Sequence, residues 1–228
     1  MKPGVEPGLQ PGFGRGQVDA GHPDLGESEL MPPLPQQPHE PLTVDVLAPW
    51  HGPILGTARL HWPDEAATAA ATQRLASALR RQPAPCSAFL TLEGPMGAGK
   101  TTFTRHLLRA LGVQGRIKSP TYAVVELYEL PNLPVAHFDF YRFDDPREWE
   151  EAGFRELFAA PGLKLAEWPQ RAEGVLPVPD LRLGIEPQGE SAREVQVQAL
   201  TPVGEALMGA LRPTAPISPD EASTPSPP

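Results

Sequence analysis

Gly94-Pro95-Met96-Gly97-Ala98-Gly99-Lys100-Thr101 is a run whose residue types and spacing build a phosphate cradle. It fits G-x-x-x-x-G-K-[ST] at every required position. Glycines let successive backbone N–H groups converge on anionic oxygens. A helix opening at Lys100 would aim its positive end at the same anion. Lys100 is placed to reach the β- and γ-phosphates of a nucleotide, and Thr101 offers a hydroxyl to Mg²⁺.

Hydrolysis needs more than a cradle. An acidic group must stand near the metal or the attacking water. Glu167 ends the apolar run Leu163-Lys164-Leu165-Ala166-Glu167, where the second acidic element of a P-loop fold is expected. Asp139 alternates with His137 and Tyr141, so one strand face would present all three polar groups. Glu93, just before Gly94, is the third candidate, with a merely structural role as its alternative. Ser119-Pro120-Thr121 follows the P-loop helix, where some P-loop enzymes keep a loop that senses the γ-phosphate. Thr121 would approach the metal or γ-phosphate there; a plain proline-initiated turn is the alternative.

These groups need elements to hold them. Ala88 to Glu93 is short, apolar and β-rich, a strand entering the loop. Beyond it, Phe103, Leu107, Leu108 and Leu111 fall on one helical face, and Gly112 is a natural stop. Leu55 to His61 reads as a leading strand. Pro63-Asp64-Glu65 opens an alanine-rich helix to Leu79. Residues 123–130 and 135–141 read as a hairpin joined by Pro131-Asn132-Leu133-Pro134. Asp145-Pro146-Arg147-Glu148 starts a further helix. Late strands are expected over Leu181–Glu186 and Glu194–Leu200, with a closing helix from Pro202 to Leu211. The alternation predicts an α/β, P-loop NTPase-like three-layer domain with a mostly parallel central sheet and a β-hairpin. No internal repeat is visible.

Composition bounds the domain. Of 31 prolines, eleven lie in residues 1–54 and six in residues 213–228. Those ends offer little apolar area to offset chain entropy, so both are expected to be disordered, leaving a folded domain over 55–212. The net charge of −9 divides as −5, −2 and −2 over the three segments. A nearly neutral centre does not indicate a large nucleic-acid footprint. Arg105, Arg109, Arg116 and Lys118 form a local basic cluster, which suits either a solvated face or a contact surface. One cysteine, Cys86, excludes an intrachain disulfide and a multi-cysteine metal site; it reads as a buried or half-buried thiol. Neither a membrane-length apolar run nor a secretory signal is seen, so a cytoplasmic location is expected.

From Leu92 to Pro179 the chain resembles the TsaE (YjeE) family, small bacterial ATPases of tRNA threonylcarbamoyladenosine synthesis. The matching pieces are Gly94–Thr102, Ser119-Pro120-Thr121-Tyr122, His137-Phe138-Asp139-Phe140-Tyr141-Arg142 and Glu167-Trp168-Pro169-Gln170 with Gly174-Val175-Leu176-Pro177. Pro63–Thr68 extends the likeness more weakly. The resemblance implies that Gly97, Ala98, Gly99, Lys100, Thr101 and Thr102 hold ATP. It implies that Thr101 and Glu167 hold Mg²⁺, with Glu167 essential for hydrolysis. Asp139 would support catalysis, Thr121 would lie near the γ-phosphate, and Trp168 would sit beside the active site. Glu65 and Arg193 match nucleotide-contacting neighbourhoods, Arg193 with a one-residue shift. The implied partner is a TsaB–TsaD complex, in which TsaD modifies the adenosine beside the anticodon of ANN-decoding tRNAs and the ATPase resets the cycle. tRNA would be met through that complex. A P-loop small-molecule kinase and a nucleotide-controlled binding protein are the alternatives. The short segment Trp168 to Asp180 leaves a kinase little room for a lid.

Overall fold

The computed structural model describes residues 53–82, 86–143, 149 and 152–213. Seven strands form one sheet: β1 (Gly56–Trp62), β2 (Ser87–Glu93), β3 (Val125–Tyr128), β4 (Val135–Asp139), β5 (Gly162–Glu167), β6 (Leu181–Gln188) and β7 (Ala192–Ala199). The helices are α1 (Glu65–Arg81), α2 (Lys100–Ala110), α3 (Phe154–Ala159) and α4 (Pro202–Leu211), with a 3₁₀ turn over Pro169–Ala172. The sheet order is β1-β7-β6-β2-β5-β4-β3. Strands β6, β2, β5 and β4 run parallel, and the pairs β1–β7, β6–β7 and β3–β4 are antiparallel. The parallel centre reads as near-continuous apolar sequence because both of its faces are covered. Most of the expected elements appear within a residue or two of their predicted bounds. Strand β4 is shorter than expected: it ends at Asp139, and Tyr141 lies in the turn beyond it. The helix start at 145–148 and most of both tails lie outside the described residues.

Alternation along the strands divides two cores. Leu90, Leu92, Leu163 and Leu165 pack with Leu75, Leu79, Phe103 and Leu107 from α1 and α2. Phe89, Phe138, Ala166 and Phe154 belong to a second, aromatic core on the opposite face. Ala71, Leu75 and Leu79 are among the α1 side chains buried at helical spacing, and Asp64 caps the helix by accepting from the Ala67 N–H at 2.7 Å. Asp180 ties the ends together. Its Oδ2 accepts from the Phe89 N–H at 2.7 Å, its Oδ1 accepts from the Thr201 hydroxyl, and its carbonyl accepts from the Leu200 N–H at 3.0 Å. Thr201 in turn caps α4 through the Gly204 N–H at 3.1 Å. Cys86 is buried just ahead of β2.

Candidate nucleotide-binding and catalytic site

Strands β2, β5 and β4 are parallel neighbours, so their carboxyl ends open at one edge of the sheet. Ligands of open α/β sheets bind at that edge. There β2 delivers the glycine loop, β5 delivers Glu167 and β4 delivers Asp139. Register places Leu92 beside Glu167 and Asp139 beside Glu167.

The loop takes its shape from glycine. Gly94, Gly97 and Gly99 all have positive φ, at 131°, 78° and 106°. A Cβ on Gly94 would stand 2.2 Å from the Ile185 carbonyl oxygen, so the loop is pressed against β6. No side chain caps α2, which leaves its first-turn N–H groups for an anion. Ala98 differs: its N–H donates to the Pro95 carbonyl at 3.1 Å, and its carbonyl accepts from Arg193 Nε at 2.7 Å.

Lys100 is folded back into this loop. Its Nζ donates to the carbonyls of Gly94 and Pro95 at 2.7 and 2.8 Å and lies 3.8 Å from the centre of the Trp168 ring. Burial lowers its pKa to about 8, against the opposing pull of Glu167 and Asp139. Trp168 holds its place in the left-handed region at φ 57°, with Tyr141 5.1 Å away, centroid to centroid.

The carboxylates are buried and fully engaged. Glu167 Oε2 accepts from the Thr101 hydroxyl at 2.9 Å, and its Oε1 lies 2.9 Å from His137 Nε2. Asp139 Oδ2 accepts from the hydroxyls of Ser119 and, at 2.7 Å, Thr121; its Oδ1 accepts from the Tyr141 N–H at 2.9 Å. The Ser119-Pro120-Thr121 loop is therefore tied to Asp139 and is not a free turn. Val124, at the base of that loop, has φ 64°. That angle strains a β-branched residue, a feature that clusters at sites with moving parts.

Thr101 and Glu167 present a hydroxyl and a carboxylate oxygen 2.9 Å apart. Adjacent oxygens on an octahedral Mg²⁺ bound at about 2.0–2.1 Å stand at about that separation, so the pair fits the ion. Among the described residues no three His, Cys, Asp or Glu side chains converge as a metal-binding set. An ion held by these two residues would draw its remaining oxygens from phosphate and water, as Mg²⁺ commonly does.

A cleft of about 280 Å³ adjoins the cradle, lined by Trp62, Glu65, Thr68, Gly99, Glu190 and Arg193, among others. Glu65 stands on its exposed side, 2.8 Å from His106 Nε2. Thr102 lines the same cleft. Glu93 is paired elsewhere: its two oxygens accept from Arg182 Nε and Nη2 at 3.0 and 3.1 Å. Arg109 caps the end of α2, donating to the carbonyls of Val113, at 3.3 Å, and Gly115. Two polar partners are not legible as such in the sequence: Ser119 stands there only as part of a loop, and His137 only as a neighbour of Asp139. The period-two spacing of His137 and Asp139 was the available signal for the second.

Fold and loop together define a P-loop-type nucleotide-binding domain. The family model for threonylcarbamoyl adenosine biosynthesis protein TsaE matches residues 62–195. The chain belongs to that TsaE family. It is 40% identical over 119 residues to the tRNA threonylcarbamoyladenosine biosynthesis protein TsaE of Haemophilus influenzae, covering 52% of this chain and 75% of that one. The Bacillus subtilis protein of the same name is 40% identical over 111 residues, 49% of this chain and 69% of that one. The crystal structure of Bacillus subtilis YdiB superposes with a TM-score of 0.54 at 28% identity, covering 68% of this chain and 94% of that one.

Proposed function

We propose that this chain is a Mg²⁺-dependent ATPase that serves the threonylcarbamoyladenosine modification of ANN-decoding tRNAs as an auxiliary subunit of a TsaB–TsaD complex in the cytoplasm. The observation that carries the reading is the Thr101–Glu167 contact at the mouth of a complete P-loop, in a chain of the TsaE family. That no helix among the described residues is long and apolar enough to cross a membrane accords with it.

In this reading the α2 N-terminus and the glycine loop bind the phosphates, and Glu65 and Arg193 border the rest of the nucleotide. Lys100 exchanges the Gly94 and Pro95 carbonyls for β- and γ-phosphate oxygens. Thr101 and Glu167 hold Mg²⁺, which when bound neutralises charge developing on the phosphates. Glu167 also orients the attacking water. Asp139 holds Thr121 and Ser119 where the γ-phosphate would lie. Trp168 lies over the Lys100 ammonium group and limits water there.

The test is phosphate release from ATP, alone and with TsaB and TsaD, for the parent and Glu167→Gln. Glutamine keeps the size of the side chain but not its charge. Turnover should fall about 100-fold or more while the affinity for a non-hydrolysable ATP analogue changes little, because the lost interaction is strongest in the transition state. Asp139→Asn should be impaired less. Near-parental turnover by Glu167→Gln would move the catalytic role to Asp139. Transfer of label from ATP to a small acceptor would replace the ATPase reading with a kinase.

A further inference from the structure

His137 is fully buried on β4. Its Nε2 lies 2.9 Å from Glu167 Oε1, and its Nδ1 has no hydrogen-bond partner among the described residues. An ionised carboxylate only accepts, so the proton between them sits on the imidazole Nε2. That contact fixes the tautomer of the ring.

A buried polar atom without a partner is unfavourable. A hydrocarbon of similar size at 137 would leave no such atom, so packing alone gives no reason for an imidazole. Its one polar bond does. Glu167 divides its oxygens between two partners, with His137 on Oε1 and Thr101 on Oε2. The His137 bond selects one rotamer of a side chain that otherwise has several. Strand register makes it a rigid anchor, because β4 and β5 are parallel neighbours with His137 opposite Leu165, two residues before Glu167.

We propose that His137 is the positioning residue for Glu167: its Nε2–H clamps Oε1 and so presents Oε2 to the Thr101 hydroxyl at the P-loop mouth. The consequence for turnover rests on the ATPase reading above; the clamp itself does not.

The experiment has two arms, both on the full chain. The first is nitrogen NMR of histidine-labelled protein without nucleotide or metal. His137 should show a protonated Nε2, an unprotonated Nδ1 and a slowly exchanging ring N–H that shifts in Glu167→Gln. The second compares His137→Leu with His137→Gln, whose amide can offer an N–H near the same place. Leucine should be at least as thermally stable as glutamine at 137. Its turnover in the partner complex should nonetheless fall about 10- to 100-fold, the usual loss when a ligand's hydrogen-bonded support is removed. Glutamine should recover several-fold of that loss, and KM should stay within about threefold throughout, since the effect lies on the chemical step. An Nδ1-protonated ring, leucine turnover within twofold of the parent, or activity that follows thermal stability across the series would each overturn the proposal. Absence of any ATP hydrolysis by the parent would instead remove the ATPase reading and leave the NMR arm to decide the clamp.

Discussion

Lys100 is only 5% exposed, and two carbonyls and an indole face hold its ammonium group where water cannot solvate it fully. Burial lowers its pKa to about 8. A phosphate beside it favours the charged form and raises that value. Above about pH 8 binding must therefore take up a proton. ATP affinity is expected to be flat below about pH 7 and to fall above pH 8, approaching tenfold per pH unit. Calorimetry across pH 7–9.5 in buffers of different ionisation enthalpy measures both the affinity and the proton taken up. A flat profile with no proton uptake would show that the ammonium is fully charged before binding. Lys100 and Thr101 are legible from the spacing of the loop motif, and Glu167 as the end of an apolar strand, because a loop motif and a strand end are local features. The covering of Lys100 by Trp168 is not, since no propensity encodes a ring 68 residues away meeting a lysine. Arg193 reaching Ala98 from β7 is non-local in the same way.

At the scale of elements, hydrophobic periodicity marks α2, alanine propensity marks α1, β-rich apolar composition marks β2, and turn residues mark the β3–β4 hairpin. Strand order is beyond their reach. The adjacency of β5 to both β2 and β4 is set by packing between distant segments, and it is what brings Glu167 to the P-loop and to Asp139. The join of α4 to the sheet is equally hidden in the sequence. Gly204 sits in the first turn of α4, where an added Cβ would stand 1.9 Å from the Asp180 carbonyl oxygen. Backbone, and not a mobile side chain, is the obstacle. Gly204→Ala should therefore lower stability by about 1–3 kcal/mol, a typical penalty for overpacking. Urea unfolding measures it. Nucleotide affinity should be unchanged, because Gly204 belongs to the Asp180 junction and not to the cradle. Unchanged stability would show that α4 can shift away from β6 and β7 without loss.

For the whole molecule, we propose that residues 55–212 are the functional domain and that residues 1–54 and 213–228 are dispensable for binding. The family match over residues 62–195 lies inside those bounds. The tails carry 17 of the 31 prolines and few residues able to build a core. Removing both should leave ATP affinity and the thermal transition nearly unchanged, as calorimetry and scanning unfolding would measure. A large fall in melting temperature would show that a tail packs on the domain. Charge is the other whole-molecule property, and the nearly neutral centre does not indicate a large nucleic-acid footprint on this chain itself.

Cys86 gives the protein a built-in stopwatch. It is the single thiol of the chain, buried at the entrance to the strand that carries the P-loop, and burial, then the nearby Asp180, raise its pKa. A thiol-reactive dye attacks a buried thiol only when its surroundings open. The rate of dye incorporation into native protein therefore reports how often that region opens. Saturating ATP, which favours the closed form, should slow labelling in proportion to the stabilisation it confers. Fast labelling, insensitive to nucleotide, would reveal that the start of β2 opens independently of the site at its other end.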